Sequence, residues 1–139
     1  MLSGMGRPLT HPHIDDVTVA GILHALSDPV RLGIVSTLLK TPAGMNCTET
    51  TLKLNLAMPK STCSQHYRIL REAGLIVSER RGVDLSSRVR TAELEARFPG
   101  LLASILKSHK KETSRGARRP VAAASVSQPP ARRRFKSGL

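Results

Sequence analysis

Residues 60–90 constrain the fold of this chain most, because within them a helical pattern gives way to a strand pattern. Apolar side chains recur at Cys63, Tyr67 and Leu70, spaced by four and three residues. This spacing predicts a helix over residues 60–73 with these three side chains buried along one stripe. The residues between them must then face outward.

The outward face of this predicted helix consists of short hydrogen-bonding groups and cations: Lys60, Thr62, Ser64, Gln65, Arg68 and Arg71. Such groups suit duplex DNA, because Gln pairs with adenine, Ser contacts several base types and Arg or Lys neutralises phosphates. The helix therefore has the composition of one that reads base edges.

The segment that follows the helix predicts a basic β-hairpin over residues 75–90. Gly74 stops the helix, and Gly82 supplies the turn between two strands. Leu85 and Val89 lie four residues apart and so share one face, which we expect to be buried. The hairpin would then bury one side and expose its cations, Arg80, Arg81, Arg88 and Arg90.

The positive charge of the chain is unevenly distributed. Of the formal net charge of +12, residues 107–139 contribute +9, and residues 1–106 contribute +3. Residues 53–90 alone carry +5, so the rest of the body is slightly acidic. The basic excess of the body thus coincides with the predicted helix and hairpin, which favours binding to a nucleic acid there.

Composition narrows the classes of protein that fit. The 139 residues allow one domain, and no apolar run approaches the roughly 20 residues that span a bilayer. The first residues lack the apolar stretch of a secretory signal, so we expect a cytoplasmic protein without membrane contact. Only 2% of residues are aromatic, which disfavours a single-strand binder that stacks bases on rings. No catalytic motif is present, so neither an enzyme nor a cofactor is expected.

Three helices are predicted upstream of residue 60. Asp15 or Asp16 can cap a helix over residues 17–26, and Asp28 followed by Pro29 begins a second that ends near Lys40. Residues 46–59 are ambiguous, because Leu52, Leu54, Leu56 and Met58 alternate as in a strand. We favour a short helix and a turn, with Leu52 and Leu56 packed beneath, since a strand would have no partner here.

Downstream of the hairpin, helical spacing returns and is broken at Pro99-Gly100. The apolar stripe of this region is broad enough to indicate a partner surface, most simply in a second copy of the chain. Its members are Leu94, Phe98, Leu101, Leu102, Ile105 and Leu106. From Lys110 onward the composition predicts a disordered basic tail, either an arm that tethers DNA without specificity or a solubilising segment. The predicted organisation is a flexible arm (1–13), one domain (14–109) and the tail (110–139).

Two separated blocks of this chain resemble the ArsR family of winged-helix transcriptional repressors. One runs from His24 to Leu32 with Ile34 and Val35, and the other covers Lys60-Ser61-Thr62 and much of residues 64–76. The resemblance spans about residues 11–107. It implies a mainly α fold with a small β-hairpin wing (α+β), a winged helix-turn-helix with helical dimerisation elements at both ends.

The resemblance also implies a homodimer that binds an imperfect palindrome in double-stranded promoter DNA and releases it when an inducer, unidentified here, binds. The subunits would join through the first and last helices, which adds Ile22 to the apolar stripe above. Matched by position, the major groove would be contacted by Ser61, Thr62, Ser64, Gln65, His66 and Arg68. The wing contacts would be Arg80, Arg81 and Arg88.

Metal sites of this family match the chain poorly. Cys47 occupies the first position of the family's Cys-x-Cys pair, but Glu49 occupies the second, so a soft thiolate ligand is lost. The last helix lacks the paired histidines of the other known site. Only weak candidates remain, Cys47, His11 and His13 with Asp15 and Asp16, and no metal is expected.

Alternatives stay open at several points. His66 either contacts DNA or supports the helix, Arg31 reaches either a phosphate or Asp28, and Cys63 either packs as a small hydrophobe or acts as a redox switch. A different function, a basic RNA-associated or protein-interaction module, would instead use the tail and the apolar terminal helix.

Overall fold

The structure, a computed structural model, describes Leu9 and residues 11–118, with side chains to residue 114. A 3-10 turn, Ile14–Asp16, precedes six helices and one hairpin in the described part. They are α1 (Val19–Ala25), α2 (Pro29–Leu39), α3 (Cys47–Leu54), α4 (Lys60–Glu72), β1 (Ile76–Arg81), β2 (Asp84–Val89), α5 (Thr91–Arg97) and α6 (Leu101–Arg118). The described residues up to Leu102 form one compact unit, and the described residues from Ala103 onward form another. The predicted mainly helical fold with a β-hairpin wing is confirmed.

The starts of the first two helices follow from their capping residues. Asp28 Oδ1 accepts hydrogen bonds from the backbone N–H groups of Val30 (2.7 Å) and Arg31 (3.1 Å), and Pro29 occupies the first turn, as predicted. The predicted caps of α1 were wrong. Asp15 and Asp16 lie in the 3-10 turn, and Thr18 caps the helix through a 2.9 Å bond from the Gly21 N–H.

Helix α3 confirms the choice of a helix over a strand for this segment. Its first turn holds a capping box, in which Asn46 and Glu49 each accept a backbone N–H of the other (2.8 and 3.0 Å). The predicted burial of Leu52 was wrong, since its side chain is 75% exposed. The buried residue of this helix is Thr50, and two residues of helical rotation place Leu52 on the opposite side.

Helix α4 is anchored by its predicted stripe, because Cys63, Tyr67 and Leu70 are all buried. The Thr50 hydroxyl donates to the Asn46 carbonyl (2.8 Å), so the Tyr67 phenol must donate to Thr50 Oγ1. Burial raises the pKa of Tyr67, which keeps this donor protonated. This polar contact inside the core joins α3 to α4.

Gly74 ends α4 for two separate reasons. Its φ of +87° is a left-handed conformation that glycine adopts without strain. A Cβ at this position would also lie 2.3 Å from Val17 Cγ2. The turn into the hairpin therefore depends on glycine here.

The hairpin is a two-stranded antiparallel sheet with Ile76 opposite Val89 and Arg81 opposite Asp84. Its buried residues lie near the helical body, whereas Val83 at the tip is almost fully exposed. The predicted break at Pro99-Gly100 is confirmed by the end of α5 and the start of α6.

Two predicted boundaries were wrong. His11 and Pro12 are tied to the hairpin by hydrogen bonds, so they are not part of a loose arm. Helix α6 continues to Arg118, past residue 110, where the predicted tail begins. The remainder of the predicted arm, residues 1–8 and 10, and residues 119–139 of the predicted tail lie outside the described part of the chain.

Among the residues described, no single helix is long and apolar enough to cross a membrane. Only α1 and α2 taken together, with a 104° bend between them, have the length and composition for it.

Leucines on α3 and α4 offer a matched test of this packing. Leu70→Ala should lower the free energy of unfolding by about 2–5 kcal/mol, because it opens a cavity in the core. Leu52→Ala should change it by less than about 0.5 kcal/mol, because that side chain is already in solvent. Urea denaturation followed by circular dichroism measures both, and equal losses would contradict the assigned face of α3.

Candidate nucleic-acid interface

The outer face of α4 presents most of the predicted base-reading residues to solvent. Those exposed are Lys60, Ser61, Thr62, Ser64, Gln65 and Arg68. Pro59 at the N-cap makes no side-chain cap bond to the first backbone N–H groups of α4. A helix N-terminus with a lysine beside it favours an anion such as a phosphate.

The remaining two predicted residues of α4, His66 and Arg71, are half-buried and engaged within the protein. His66 Nδ1 lies 3.4 Å from Arg31 Nη1. Because a guanidinium only donates, this contact places the proton of a neutral His66 ring on Nε2. His66 therefore supports the helix from within, although part of its surface stays accessible.

Arg31 is a structural residue. Its Nε donates to the Ala25 carbonyl at 2.6 Å, its Nη1 lies 3.9 Å from Asp28 Oδ2, and its side chain is buried. It thereby links the end of α1, the start of α2 and His66 on α4. Of the two alternatives for Arg31, the structure supports the contact with Asp28. The guanidinium is not exposed, so it is not available to a phosphate.

Arg80, Arg81 and Arg88 of the wing are exposed, as predicted, but two of them share a carboxylate that the sequence analysis did not predict. Arg81 Nη2 lies 3.1 Å and Arg88 Nη1 4.0 Å from the oxygens of Glu79. On α4, Glu72 similarly pairs with Arg68 at 3.3 Å. Opposite charges at i,i+2 on one face of a strand and at i,i+4 on a helix were visible in the sequence and could have revealed the Glu79–Arg81 and Glu72–Arg68 pairs.

The predicted exposure of Arg90 was wrong. Its side chain is only 8% exposed, because Nε donates to Glu93 (2.7 Å) and Nη1 donates to the Pro12 carbonyl (2.9 Å). The Arg90 hydrogen bond holds the pKa of the Glu93 carboxyl below its usual range. Arg90 thus fastens the end of the wing rather than extending its basic surface.

Two buried serines form the base of the wing. Ser78 Oγ and Ser87 Oγ lie 2.7 Å apart across the hairpin, and Arg71 Nη1 donates to Ser78 Oγ at 3.4 Å. Burial lowers the pKa of the Arg71 guanidinium, as do the nearby Arg68 and Arg80. This network connects α4 to the wing, and no periodicity in the sequence indicated it.

The three weak metal candidates lie in different surroundings. Cys47 Sγ lies 3.9 Å from Ser64 Oγ, His11 accepts from the Ser78 N–H, and His13 caps the 3-10 turn beside Asp15. Within the described part of the chain, no group of three or more His, Cys, Asp or Glu side chains could hold a metal ion.

The structure does bring the two cysteines together beneath α4. Cys63 Sγ lies 3.9 Å from the Cys47 carbonyl oxygen. Burial, together with the contact to Cys47, raises the pKa of Cys63 to about 12. A buried thiol of this kind packs as a small hydrophobe and reacts slowly, whereas Cys47 is partly accessible.

The predicted dimerisation residues differ in accessibility. Ile22, Leu94, Leu102 and Leu106 are buried, and Phe98, Leu101 and Ile105 are half-buried. Ile22 and Leu94 have almost no surface to offer a partner, so their assignment as contact residues is corrected to core packing. On α1 the large exposed apolar residues are Val19 (41%) and Leu23 (49%), one helical turn apart.

Comparison with known proteins gives consistent results. Residues 26–79 match the model of a helix-turn-helix domain family. The chain is 33% identical over 97 residues to YceK, an uncharacterized HTH-type transcriptional regulator of Bacillus subtilis (strain 168). That alignment covers 70% of this chain and 95% of YceK.

Two solved structures are also similar. The transcriptional repressor PagR of Bacillus anthracis is 27% identical with a TM-score of 0.48, covering 62% of this chain and 90% of PagR. The transcriptional repressor BigR from Xylella fastidiosa is 30% identical with a TM-score of 0.46, covering 58% of this chain and 85% of BigR.

The two cysteines should differ in reactivity. In native protein at pH 7.5, Cys47 (measured in Cys63→Ser) should react with an aromatic disulfide reagent at least about tenfold faster than Cys63 (measured in Cys47→Ser). The physical reason is the burial and raised pKa of Cys63. Denaturation should equalise the rates, and equal rates in the native state would show that Cys63 is accessible.

Proposed function

Because this chain belongs to the family of helix-turn-helix transcriptional regulators, we propose that it is a homodimeric repressor of the ArsR type. Helix α4 enters the major groove of promoter DNA, and the wing β1–β2 follows the adjacent phosphates. The observation that carries this proposal is the exposed polar and cationic face of α4, which stands on a buried apolar stripe.

The face of α4 supports base reading by its chemistry. Gln65 is the exposed amide at its centre, and an amide can make a bidentate pair with adenine. Ser61, Thr62 and Ser64 are short enough for the helix to approach the base edges closely. Lys60 begins the same helix, and Arg68 lies further along it. These two cations suit the phosphates that flank the base edges.

The wing supports a sequence-independent contribution. Arg80, Arg81 and Arg88 are exposed on a hairpin whose base is fixed to α4 through Arg71 and Ser78. Cations held on a rigid support lose little entropy when they meet phosphates. In this proposal the wing sets the position of the protein along the duplex, and α4 selects the bases.

Dimerisation through α1 is supported by its exposed apolar side chains. Val19 and Leu23 form one face of this helix, and a second copy of the chain would remove both from water. A dimer with two-fold symmetry matches a palindromic site, since each subunit reads one half. The half-buried residues Phe98, Leu101 and Ile105 are proposed to contribute apolar area to the same association.

Release by an inducer and action in the cytoplasm complete the proposal. Both are properties that the ArsR resemblance implies for a repressor. The regulated promoter is the one to which the purified protein binds, and sequencing of co-purified DNA identifies it.

Binding measurements on a selected operator should distinguish the contribution of α4 to DNA affinity from that of the wing. Gln65→Ala should relax the preference for operator over unrelated duplex, because it removes a base contact worth about 1–3 kcal/mol. Arg81→Ala should weaken both duplexes alike and lower the salt slope of the binding constant by about 0.9 per lost phosphate contact. Fluorescence anisotropy across a salt series measures both.

Lys40→Ala serves as the control, since Lys40 is an exposed cation at the end of α2 outside the proposed interface. An Arg81→Ala slope equal to that of Lys40→Ala would refute the wing contact. Unchanged base preference in Gln65→Ala would refute its role as a base reader.

Leu23→Glu should yield monomers and weaken operator binding by at least about tenfold, because a lone subunit reads one half-site. The exposed position lets the protomer keep its fold, which Leu102 or Leu106, both buried, would not allow. Sedimentation velocity and anisotropy measure the two effects, with Leu39→Glu on α2 as the matched control. An intact Leu23→Glu dimer would exclude this face of α1 as the interface.

A further inference from the structure

We propose that His11 positions the wing for DNA, by accepting the Ser78 N–H at the free edge of β1 and so fixing the hairpin against α4. The inference rests on the proposed function, because His11 can position the wing for DNA only if the wing contacts DNA. His11 itself lies outside the surface offered to DNA, so it is a positioning residue.

The first support is that one opposing pair of the hairpin has hydrogen-bond partners for both of its outward backbone N–H groups. Ser78 and Ser87 face each other in the register, and both backbone N–H groups are used outside the hairpin. The Ser87 N–H donates to the Met45 carbonyl at 2.9 Å, and the Met45 N–H donates back to the Ser87 carbonyl at 3.0 Å. The Ser78 N–H donates to His11 Nε2 at 3.0 Å.

Both outer edges of the hairpin are therefore held at the same pair of opposing residues, Ser78 and Ser87. A partly buried backbone N–H without a partner is costly, and an uncovered edge strand lets a hairpin shift. Met45 covers the β2 edge through its backbone N–H and carbonyl, which any residue except proline could supply. The β1 edge depends on a side chain, and His11 supplies it from 67 residues away in sequence.

The second support is that the same segment is fixed at an adjacent residue. The Pro12 carbonyl accepts from Arg90 Nη1 at 2.9 Å, and Arg90 follows the last residue of β2. His11 and Pro12 thus bridge the two strands at the base of the wing. Arg71 of α4 reaches the same place through Ser78 Oγ at 3.4 Å.

The charges around His11 keep its ring an acceptor. Only an unprotonated Nε2 can accept the Ser78 N–H. Burial lowers the pKa of His11 from 6.5, and the cations that face it, Arg71 from α4 and Arg90 from the end of β2, lower it further. The contact is therefore fully present above pH 6.5. It is lost as the pH falls below that value, through the pKa of His11 in the folded protein.

Three substitutions test the role through geometry. His11→Gln places an amide oxygen as far along the side chain as Nε2, His11→Asn places it one bond shorter, and His11→Ala removes the acceptor. In the free protein, amide exchange at Ser78 followed by nuclear magnetic resonance should be about three- to tenfold faster in the Ala and Asn variants. The Gln variant should exchange close to the wild-type rate.

Operator binding gives the functional readout. At pH 7.5 the Ala and Asn variants should bind about three- to tenfold more weakly with a lower salt slope, and the Gln variant should bind like the wild type. As the pH falls from 7.5 through the folded-state pKa of His11, which lies below 6.5, the wild type should lose affinity relative to the Gln variant, in which this acceptor does not titrate. The ratio of the two affinities isolates the contribution of His11, because every other group is the same in both proteins.

The outcomes separate the inference from the proposed function. Unchanged Ser78 exchange in the Ala variant would overturn the anchor itself. Faster exchange with unchanged DNA affinity, while Arg81→Ala still lowers the salt slope, would overturn positioning and leave the wing contact standing. Failure of Arg81→Ala to lower the slope would remove the wing contact and this inference with it. Rescue by Gln but not by Asn supports it.

Discussion

Burial of one stripe of α4 determines what the rest of this protein can do. Cys63, Tyr67 and Leu70 face the core, and the Tyr67 phenol satisfies its polar end by donating to Thr50 on α3. Because the buried stripe fixes the rotation of the helix about its axis, it also fixes which side chains face solvent. The proposed base readers are therefore a consequence of core packing, and a change of one stripe residue would rotate or loosen all of them together.

The wing depends on α4 in turn, through polar contacts rather than apolar ones. A two-stranded hairpin has little core of its own and is marginally stable alone. Here the Ser78–Ser87 rung is linked to α4 by Arg71, to Met45 on one edge and to His11 on the other. Each contact alone is modest, yet each fixes a different direction, so together they define where the arginines of the hairpin lie relative to the helix.

Local signals in the sequence predicted much of this arrangement. The Asp28-Pro29 cap, the α4 stripe, the turn at Gly82 and the break at Pro99-Gly100 all involve neighbouring residues, and the structure confirms them. The errors lie where tertiary contacts decide. The exposure of Leu52 depends on which side of α3 meets the body, and the burial of Arg90 depends on a carbonyl 78 positions away. Nothing near His11 in the sequence indicates that its ring covers a strand edge.

The paired arginines change how DNA affinity should arise. Arg68 lies beside Glu72, and Arg81 and Arg88 lie beside Glu79, so a phosphate that binds any of these arginines competes with a carboxylate. Exposed ion pairs contribute little to stability, about 0–1 kcal/mol, so the exchange costs little. It nevertheless reduces the net attraction to any passing phosphate, because the nearby carboxylates repel it. Under the proposed function, the body of this protein, unlike its strongly basic C-terminal segment, therefore favours duplexes on which the proposed base contacts of α4 form at the same time.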